Sequence, residues 1–94
     1  MSNSLLASAV LTADPAIVWR DVAGEVVLLN PKSDRIMGLN GCGGETWKLL
    51  DGERSLTTIA HAISERFRGD SEQVLADVIA FATILVQRGL ATSR

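Results

Sequence analysis

The residues with the most evident chemical potential stand in one glycine-rich stretch, Gly41-Cys42-Gly43-Gly44. This stretch follows a candidate strand and precedes a candidate helix, which is the position of a phosphate-binding loop. However, it has neither the Gly-Lys-Ser/Thr ending of a P-loop nor the GxGxxG spacing of a dinucleotide-binding loop. The stretch is therefore predicted to be a flexible helix entry that binds no phosphate.

Cys42 and His61 are the other candidates for covalent chemistry. A helix entry stabilises a thiolate, and a nearby histidine can activate one as a nucleophile. However, His61 belongs to a different predicted helix and falls on its solvent side. Because Cys42 is the only cysteine, an internal disulfide and a multi-cysteine metal site are both excluded. No enzyme activity and no cofactor are expected, and a small enzyme that uses Cys42 is kept as an alternative.

Most carboxylates lie near predicted turns and helix ends, where they act as caps or solvated surface. Asp77 differs because it borders the apolar arc of the last predicted helix. Two interpretations stay open for it. Asp77 could accept a hydrogen bond from a docked ligand, or it could be a surface aspartate paired with a neighbouring cation.

The composition indicates one small, folded domain. The chain has 94 residues, 47% of them hydrophobic, and a net charge of -2. This hydrophobic content excludes general disorder, and the acidic balance argues against nucleic acid as a partner. No apolar run approaches the roughly 20 residues that a membrane helix needs. A cytoplasmic protein without a membrane partner is the expectation.

The front half of the chain is rich in strand-forming residues. Three strands are predicted, at 17–22, 25–29 and 35–39, and their short connections indicate an antiparallel meander. The second strand is apolar on both faces, so both faces are expected to be covered. In the third strand, Gly38 marks either a close approach by another backbone or a bulge.

The back half carries helical patterns. Asn40 is predicted to cap a first helix over about 44–50, and a second helix follows over 55–67. Ser71 is predicted to cap the last helix, over about 72–88, and Gly89 is predicted to end it. The apolar residues of this last helix cover nearly half its circumference, whereas packing on one layer needs an arc of about 100°. The surplus indicates a second contact surface besides the core.

The predicted order is three strands followed by three helices, which is an α+β domain with a small sheet against a helical bundle. Residues 1–14 are predicted to be a flexible N-terminal arm, because Asp14-Pro15 interrupts any local helix. The domain itself is then expected over residues 15–94.

Several short sequence motifs together indicate a family. The chain resembles the PqqD-like domains, also called RiPP recognition elements, which bind leader peptides of ribosomally made natural products. The residues that carry the resemblance are VLLN at 27–30, LN at 39–40, Gly43, TWKLLDG at 46–52, IA at 59–60, Phe67, DVIAF at 77–81, Leu85 and Gly89-Leu90. Each piece is short, but their order and spacing together are specific, and they cover about residues 15–90.

The resemblance implies a winged helix-turn-helix-like fold with a three-stranded antiparallel sheet followed by three helices. In that family the leader peptide pairs as an extra strand with the third strand, and its side chains enter a groove against the last helix. The implied strand partners are Arg35, Ile36, Met37, Gly38 and Leu39. The implied groove residues on the helix are Val74, Asp77, Val78, Phe81, Ile84 and Arg88. The family often has an aromatic residue in the third strand, whereas this chain has Ile36 or Met37 there.

The resemblance also implies partners. The leading hypothesis is a peptide-binding adaptor that presents a precursor's leader to a modifying enzyme. That enzyme would be a leader peptidase or cyclase in a lasso-peptide pathway, or a radical SAM enzyme in pyrroloquinoline quinone biosynthesis. A winged-helix DNA-binding regulator is the alternative. Its weakness is the last helix, which has one basic residue, Arg88, and an apolar arc where a recognition helix would be polar.

Overall fold

The structure, a computed structural model, describes residues 6–39, 41–67 and 69–93. In this part of the chain, six strands form two antiparallel three-stranded sheets, which are joined by three helices. The elements are, in chain order, β1 (Val10–Ala13), β2 (Val18–Val22), β3 (Glu25–Asn30), β4 (Arg35–Leu39), α1 (Gly41–Lys48), β5 (Asp51–Ser55), α2 (Leu56–Phe67), α3 (Ser71–Gln87) and β6 (Ala91–Ser93). The predicted α+β class is confirmed, and the winged-helix likeness stays a prediction.

The first sheet is the predicted meander, with strand order β2-β3-β4. Ala23 and Gly24 join its first two strands, and both have positive φ angles, 53° and 88°. Two such residues match the right-handed twist of a hairpin, which explains the tight connection. The turn into β4 is closed by the Asn30 side chain, which accepts a hydrogen bond from the Lys32 amide at 3.0 Å.

The second sheet was not predicted. Its strand order is β5-β1-β6, so the central strand comes from the segment expected to be a flexible arm. Leu11 in β1 is fully buried, and residues 10–13 are therefore a structural part of the fold. Residues 1–5 lie outside the described residues, and the domain boundary at residue 15 stays a prediction.

Helix α1 lies closer to the first sheet than a helix with larger side chains could. A Cβ atom added to Gly44 would lie 3.2 Å from the Leu39 carbonyl oxygen and 3.3 Å from Cγ2 of Val26. Glycine at this position therefore lets the start of the helix pack directly on β3 and β4. The helix covers Gly41–Lys48, so it begins about three residues and ends about two residues before the predicted bounds, and residues 51–55 form β5. The predicted cap, Asn40, lies outside the described residues.

The ends of the two longer helices follow from local hydrogen bonds. The predicted Ser71 cap of α3 is wrong, because Asp70 is the N-cap and its side chain accepts from the Glu72 amide. The predicted stop at Gly89 is confirmed by its φ of 72°. The Gly89 amide donates to the Val86 carbonyl and the Leu90 amide to the Leu85 carbonyl, which is a Schellman motif. This motif folds Leu90 back into the core.

The core lies between the helices and the two sheets. Its fully buried large apolar side chains come from both sheets and from α2 and α3, and they are Leu11, Val26, Leu28, Leu56, Ile59, Val78 and Leu85. Trp47 in α1 is also buried. None of the helices in the described residues is both long and apolar enough to cross a membrane.

The outer face of the first sheet is open, which contradicts the prediction that both faces of the second predicted strand are covered. Val18, Leu29 and Ile36 lie opposite one another on neighbouring strands, and they are 54%, 37% and 72% exposed. Only the inner face of this sheet packs on the helices, where Val26 and Leu28 are buried.

Burial of β1 leads to a stability prediction. We expect Leu11→Ala to lower the free energy of unfolding by about 2–5 kcal/mol, because it leaves a cavity in the core. Urea unfolding followed by circular dichroism measures this. Leu6→Ala is the matched control, since Leu6 is 75% exposed and its loss should change stability by less than about 0.5 kcal/mol. Equal, small effects of the two variants would contradict the placement of β1.

Candidate functional site

The free edge of β4 is the main feature of the candidate site. In the described part of the chain β4 pairs with β3 alone, so the backbone groups along its other edge have no strand partner there. An unpaired strand edge is a ready template for another extended chain. β2 forms the opposite edge of the same sheet, so the surroundings of each edge decide which is the better site.

Side chains alternate along β4 between two faces. Leu39 is buried and Met37 packs against the core, which places Met37 and Leu39, together with Arg35, on the inner face. Ile36, 72% exposed, and Gly38 lie on the outer face. The register with β3 is continuous from Arg35 to Leu39, so the interpretation of Gly38 as a bulge is wrong.

Gly38 is nevertheless close to a neighbour. An added Cβ atom would lie 3.2 Å from a carboxylate oxygen of Glu25, which is a side chain within the same sheet. The three heavy atoms nearest to such a Cβ atom all belong to the Glu25 side chain, and the backbone partner of Gly38 in the sheet is Val27 of β3. The close approach of another backbone at Gly38 stays a prediction, and the approaching backbone would be that of a bound peptide.

A groove of about 460 Å³ opens on the inner side of β4, at the carboxyl end of α3. Its apolar lining comes from the sheet and from the segment after α3, and its polar lining from the β3–β4 turn and two arginines. The lining residues are Leu28, Asn30, Ser33, Arg35, Met37, Arg88 and Leu90. The structure therefore brings together Arg35, Met37 and Arg88 of the predicted site, with an open β edge beside them.

The predicted helix residues form one stripe along α3, with one exception. Val74, Asp77, Phe81, Ile84 and Arg88 are spaced by three and four residues in alternation, which places them on one face. Of this stripe, Arg88 lines the groove and Ile84 is 41% exposed.

Val78 is the exception. It is fully buried, so it is a core residue and its side chain is not accessible to a ligand on the surface.

The other end of the stripe packs against α1. A Cβ atom on Gly43 would lie 3.5 Å from the Phe81 ring, so this ring covers the start of α1. Asp77 accepts a hydrogen bond from the Gln73 side chain at 2.9 Å, within the same helix. The partner of Asp77 is therefore a side-chain amide. The interpretation of Asp77 as a surface residue had predicted a cation as its partner. Its role as an acceptor for a ligand stays a prediction.

The contacts of Cys42 do not favour nucleophilic chemistry. Its Sγ lies 3.9 Å from the hydroxyl of Thr46, and that hydroxyl donates to the Cys42 carbonyl at 2.8 Å. Burial raises the pKa of the Cys42 thiol, the Thr46 contact opposes this, and the charge of Asp77 raises it further. His61 instead contacts Glu65 at 2.6 Å on the exposed face of α2. Among the described residues, no cluster of three histidine, cysteine or acidic side chains could hold a metal ion.

Four lining residues were missed by the sequence prediction: Leu28, Asn30, Ser33 and Leu90. Leu28 had a usable signal, because a hairpin places it directly opposite Met37. Leu90 also had one, because a residue after a glycine helix stop often packs back on the helix. Asn30 and Ser33 belong to a turn whose side-chain directions the sequence does not specify.

This arrangement is a small α+β domain in which an open strand edge borders a groove at the carboxyl end of a helix. Within that class, the chain belongs to the PqqD family: the family model described as "Coenzyme PQQ synthesis protein D (PqqD)" matches residues 25–91. The resemblance seen in the sequence is thereby confirmed. No curated protein sequence matches the chain.

Solved structures show the same fold. The structure titled "TbiB1 in Complex with the TbiA(beta) Leader Peptide" is 28% identical, with a TM-score of 0.76 over 85% of this chain and 93% of that one. A lasso peptide synthetase B1 complexed with the leader peptide is 21% identical, with a TM-score of 0.76 over 87% and 96%.

A third structure is the PqqD truncation of Methylobacterium extorquens PqqCD, a stand-alone RiPP recognition element. It is 22% identical, with a TM-score of 0.80 over 96% of both chains. At these last two identities the likeness shows the fold alone.

The raised pKa of Cys42 leads to a reactivity prediction. At a given pH near 8, a raised pKa leaves less thiolate, and thiolate is the species that reacts with iodoacetamide. We therefore expect the pH at half-maximal alkylation rate to lie above that of an unstructured cysteine peptide. Mass spectrometry over a pH series measures both rates, and unfolding in urea should remove the difference. A midpoint at or below that of the peptide would contradict the burial of this thiol.

Proposed function

We propose that this chain binds the leader region of a ribosomally synthesised precursor peptide and presents it to a separate modifying enzyme. The leader adds as a further strand on the free edge of β4, and its side chains enter the groove beside α3. The observation that carries this proposal is the unpaired β4 edge, whose inner face lines that groove. The chain acts by binding and performs no catalytic step.

In strand addition, backbone and side chains make different contributions to binding. Main-chain hydrogen bonds along Arg35–Leu39 fix the register of the guest and contribute part of the affinity. Ordering an extended peptide costs free energy, so buried apolar anchors must supply a surplus. Among the apolar lining residues, Leu28 and Leu90 are buried in the core, so Met37, which is half-buried, offers the accessible surface for such an anchor.

The stripe on α3 forms the far wall of the proposed site. Arg88 and Ile84 face the guest directly, whereas Phe81 and Asp77 extend the wall toward the start of α1. Val74 continues the same stripe by spacing. Val78 supports the wall from the core, without contact with the guest.

The relatives support a leader peptide as the guest. TbiB1 and the lasso peptide synthetase B1 are both described in complex with a leader peptide. The match over most of each chain makes the same kind of ligand the best candidate for the groove of this chain.

For the partner enzyme we propose a leader peptidase or cyclase of a lasso-peptide pathway. The alternative setting, pyrroloquinoline quinone biosynthesis with a radical SAM enzyme, is favoured by the family description. The two are separated by the genes beside the one that encodes this chain. A short precursor next to a cysteine protease and a cyclase supports the first setting, and a radical SAM gene supports the second.

A DNA-binding regulator is the weaker interpretation of the same fold. α3 and its end carry Glu72, Asp77 and Arg88, so the helix that would enter the groove of DNA presents more negative than positive charge. Binding to the phosphate backbone depends on a surplus of lysine and arginine. We therefore propose a peptide and not nucleic acid as the partner.

Two neighbouring residues of β4 provide the test. Met37→Asp places a charge on the apolar lining of the groove, so we expect it to weaken binding by more than about tenfold. The probe is the synthetic leader of the precursor encoded beside this chain's gene, and calorimetry on the folded variants measures the affinity.

Ile36→Asp is the control for this test. It makes the same change one residue away, on the exposed outer face of the same strand, and should alter affinity by less than about threefold. An unchanged affinity in Met37→Asp, or an equal loss in both variants, would count against the groove as the binding site.

A further inference from the structure

The groove carries charge of one sign. Among its lining residues the charged ones are Arg35 and Arg88, and the lining contains no aspartate or glutamate. Arg35 comes from the start of β4 and Arg88 from the C-cap of α3, so the two elements each contribute one guanidinium group. Between them the floor is apolar, with Leu28, Met37 and Leu90.

Neither arginine is neutralised by the protein in the described residues. No ion pair there involves Arg35 or Arg88, and Asp34, which precedes Arg35 in the sequence, pairs with neither of them. By contrast, Lys48 pairs with Asp21 and with Glu45.

Two other cations of the described chain are also paired. Arg54 contacts Asp51 at 3.6 Å, and Arg66 contacts Glu45 at 2.7 Å. Arg20 and Lys32 also have no ion pair in the described residues, so Arg35 and Arg88 are distinguished by lining the same groove, in a chain of net charge -2.

Resting on the proposed function, we propose that this end of the groove selects an acidic side chain, aspartate or glutamate, in the bound leader. The acidic residue lies beside an apolar residue that fills the floor between the two arginines. The guanidinium groups donate charge-assisted hydrogen bonds to the carboxylate, and their fork geometry favours a carboxylate over an amide.

The fold also specifies where in the leader this residue lies. Arg35 begins β4 at the end of the groove that holds Arg88, whereas Leu39 ends it at the start of α1. The sheet is antiparallel throughout, so an added strand continues the pattern by running from the Leu39 end toward the Arg35 end. The acidic residue is therefore in the C-terminal half of the bound segment.

Peptide selection tests this without knowledge of the natural leader. The probe is a phage-displayed library of random peptides of about 15 residues, long enough to extend beyond both ends of β4. The library is panned on the wild-type chain and on the double variant Arg35→Glu/Arg88→Glu. We expect wild-type binders to be enriched in aspartate or glutamate in their C-terminal half, and binders of the double variant to lose that enrichment.

Affinity measurements on one selected peptide complete the test. The double variant should bind it more than about tenfold more weakly, and changing the peptide's acidic residue to lysine should restore binding to that variant. Arg20→Glu is the matched control, because Arg20 lies on the exposed outer face of β2, and it should change affinity by less than about threefold. If circular dichroism shows that the charge-reversed double variant does not fold, Arg35→Gln/Arg88→Gln replaces it. A smaller loss of affinity is then expected.

The outcomes separate the two proposals. The proposed selection of an acidic residue is overturned if the binders need Met37 but show no acidic enrichment. It is also overturned if they bind the arginine variants with unchanged affinity. In both cases the groove remains the binding site. Binders that are insensitive to Met37→Asp, or the absence of any binder, overturn both. Enrichment, loss in the double variant and recovery with lysine together support the selection.

Discussion

The outer edge of β4 pairs with no strand of the described residues, so its backbone N–H and C=O groups are open to a further strand. A free strand edge invites association with other chains, and proteins usually shorten, charge or cover such edges. Here the edge is five residues long and begins with Arg35, which limits unspecific pairing. It borders a groove with an apolar floor, so a chain that pairs with the edge can also bury side chains. Backbone pairing alone would not select one guest, and the groove supplies that selectivity.

The geometry of this edge is held by close packing around α1. Gly44 lets the helix lie against β3 and β4, and Gly43 lets Phe81 of α3 lie against the same helix. α1 thus contacts both the first sheet and α3. Ion pairs from Lys48 to Asp21 and from Arg66 to Glu45 join α1 to β2 and to α2 on the surface. The glycine-rich stretch that first suggested chemistry therefore serves packing in this chain.

Local patterns predicted the first sheet, α2, α3 and the stop at Gly89, because each depends on neighbouring residues. The second sheet could not be predicted in that way. It joins residues 10–13, 51–55 and 91–93, and β5 reads DGERS, which has no apolar alternation. The stripe on α3 was predictable from spacing, but the division between core and surface was not. Val78 is buried because neighbouring elements of the fold cover it. Helical spacing shows which residues share a face of α3, but it does not show which of them the rest of the fold covers.

Strand addition at β4 is tested most directly by NMR of the isotope-labelled chain with an unlabelled bound peptide. We expect interstrand contacts between backbone protons of the peptide and those of Arg35–Leu39, in the pattern of an antiparallel ladder. The amides of β2 (Val18–Val22), the other open edge, should change little on binding. Contacts of the peptide with β2, or binding without any backbone contact to β4, would show that the leader does not add to the β4 edge.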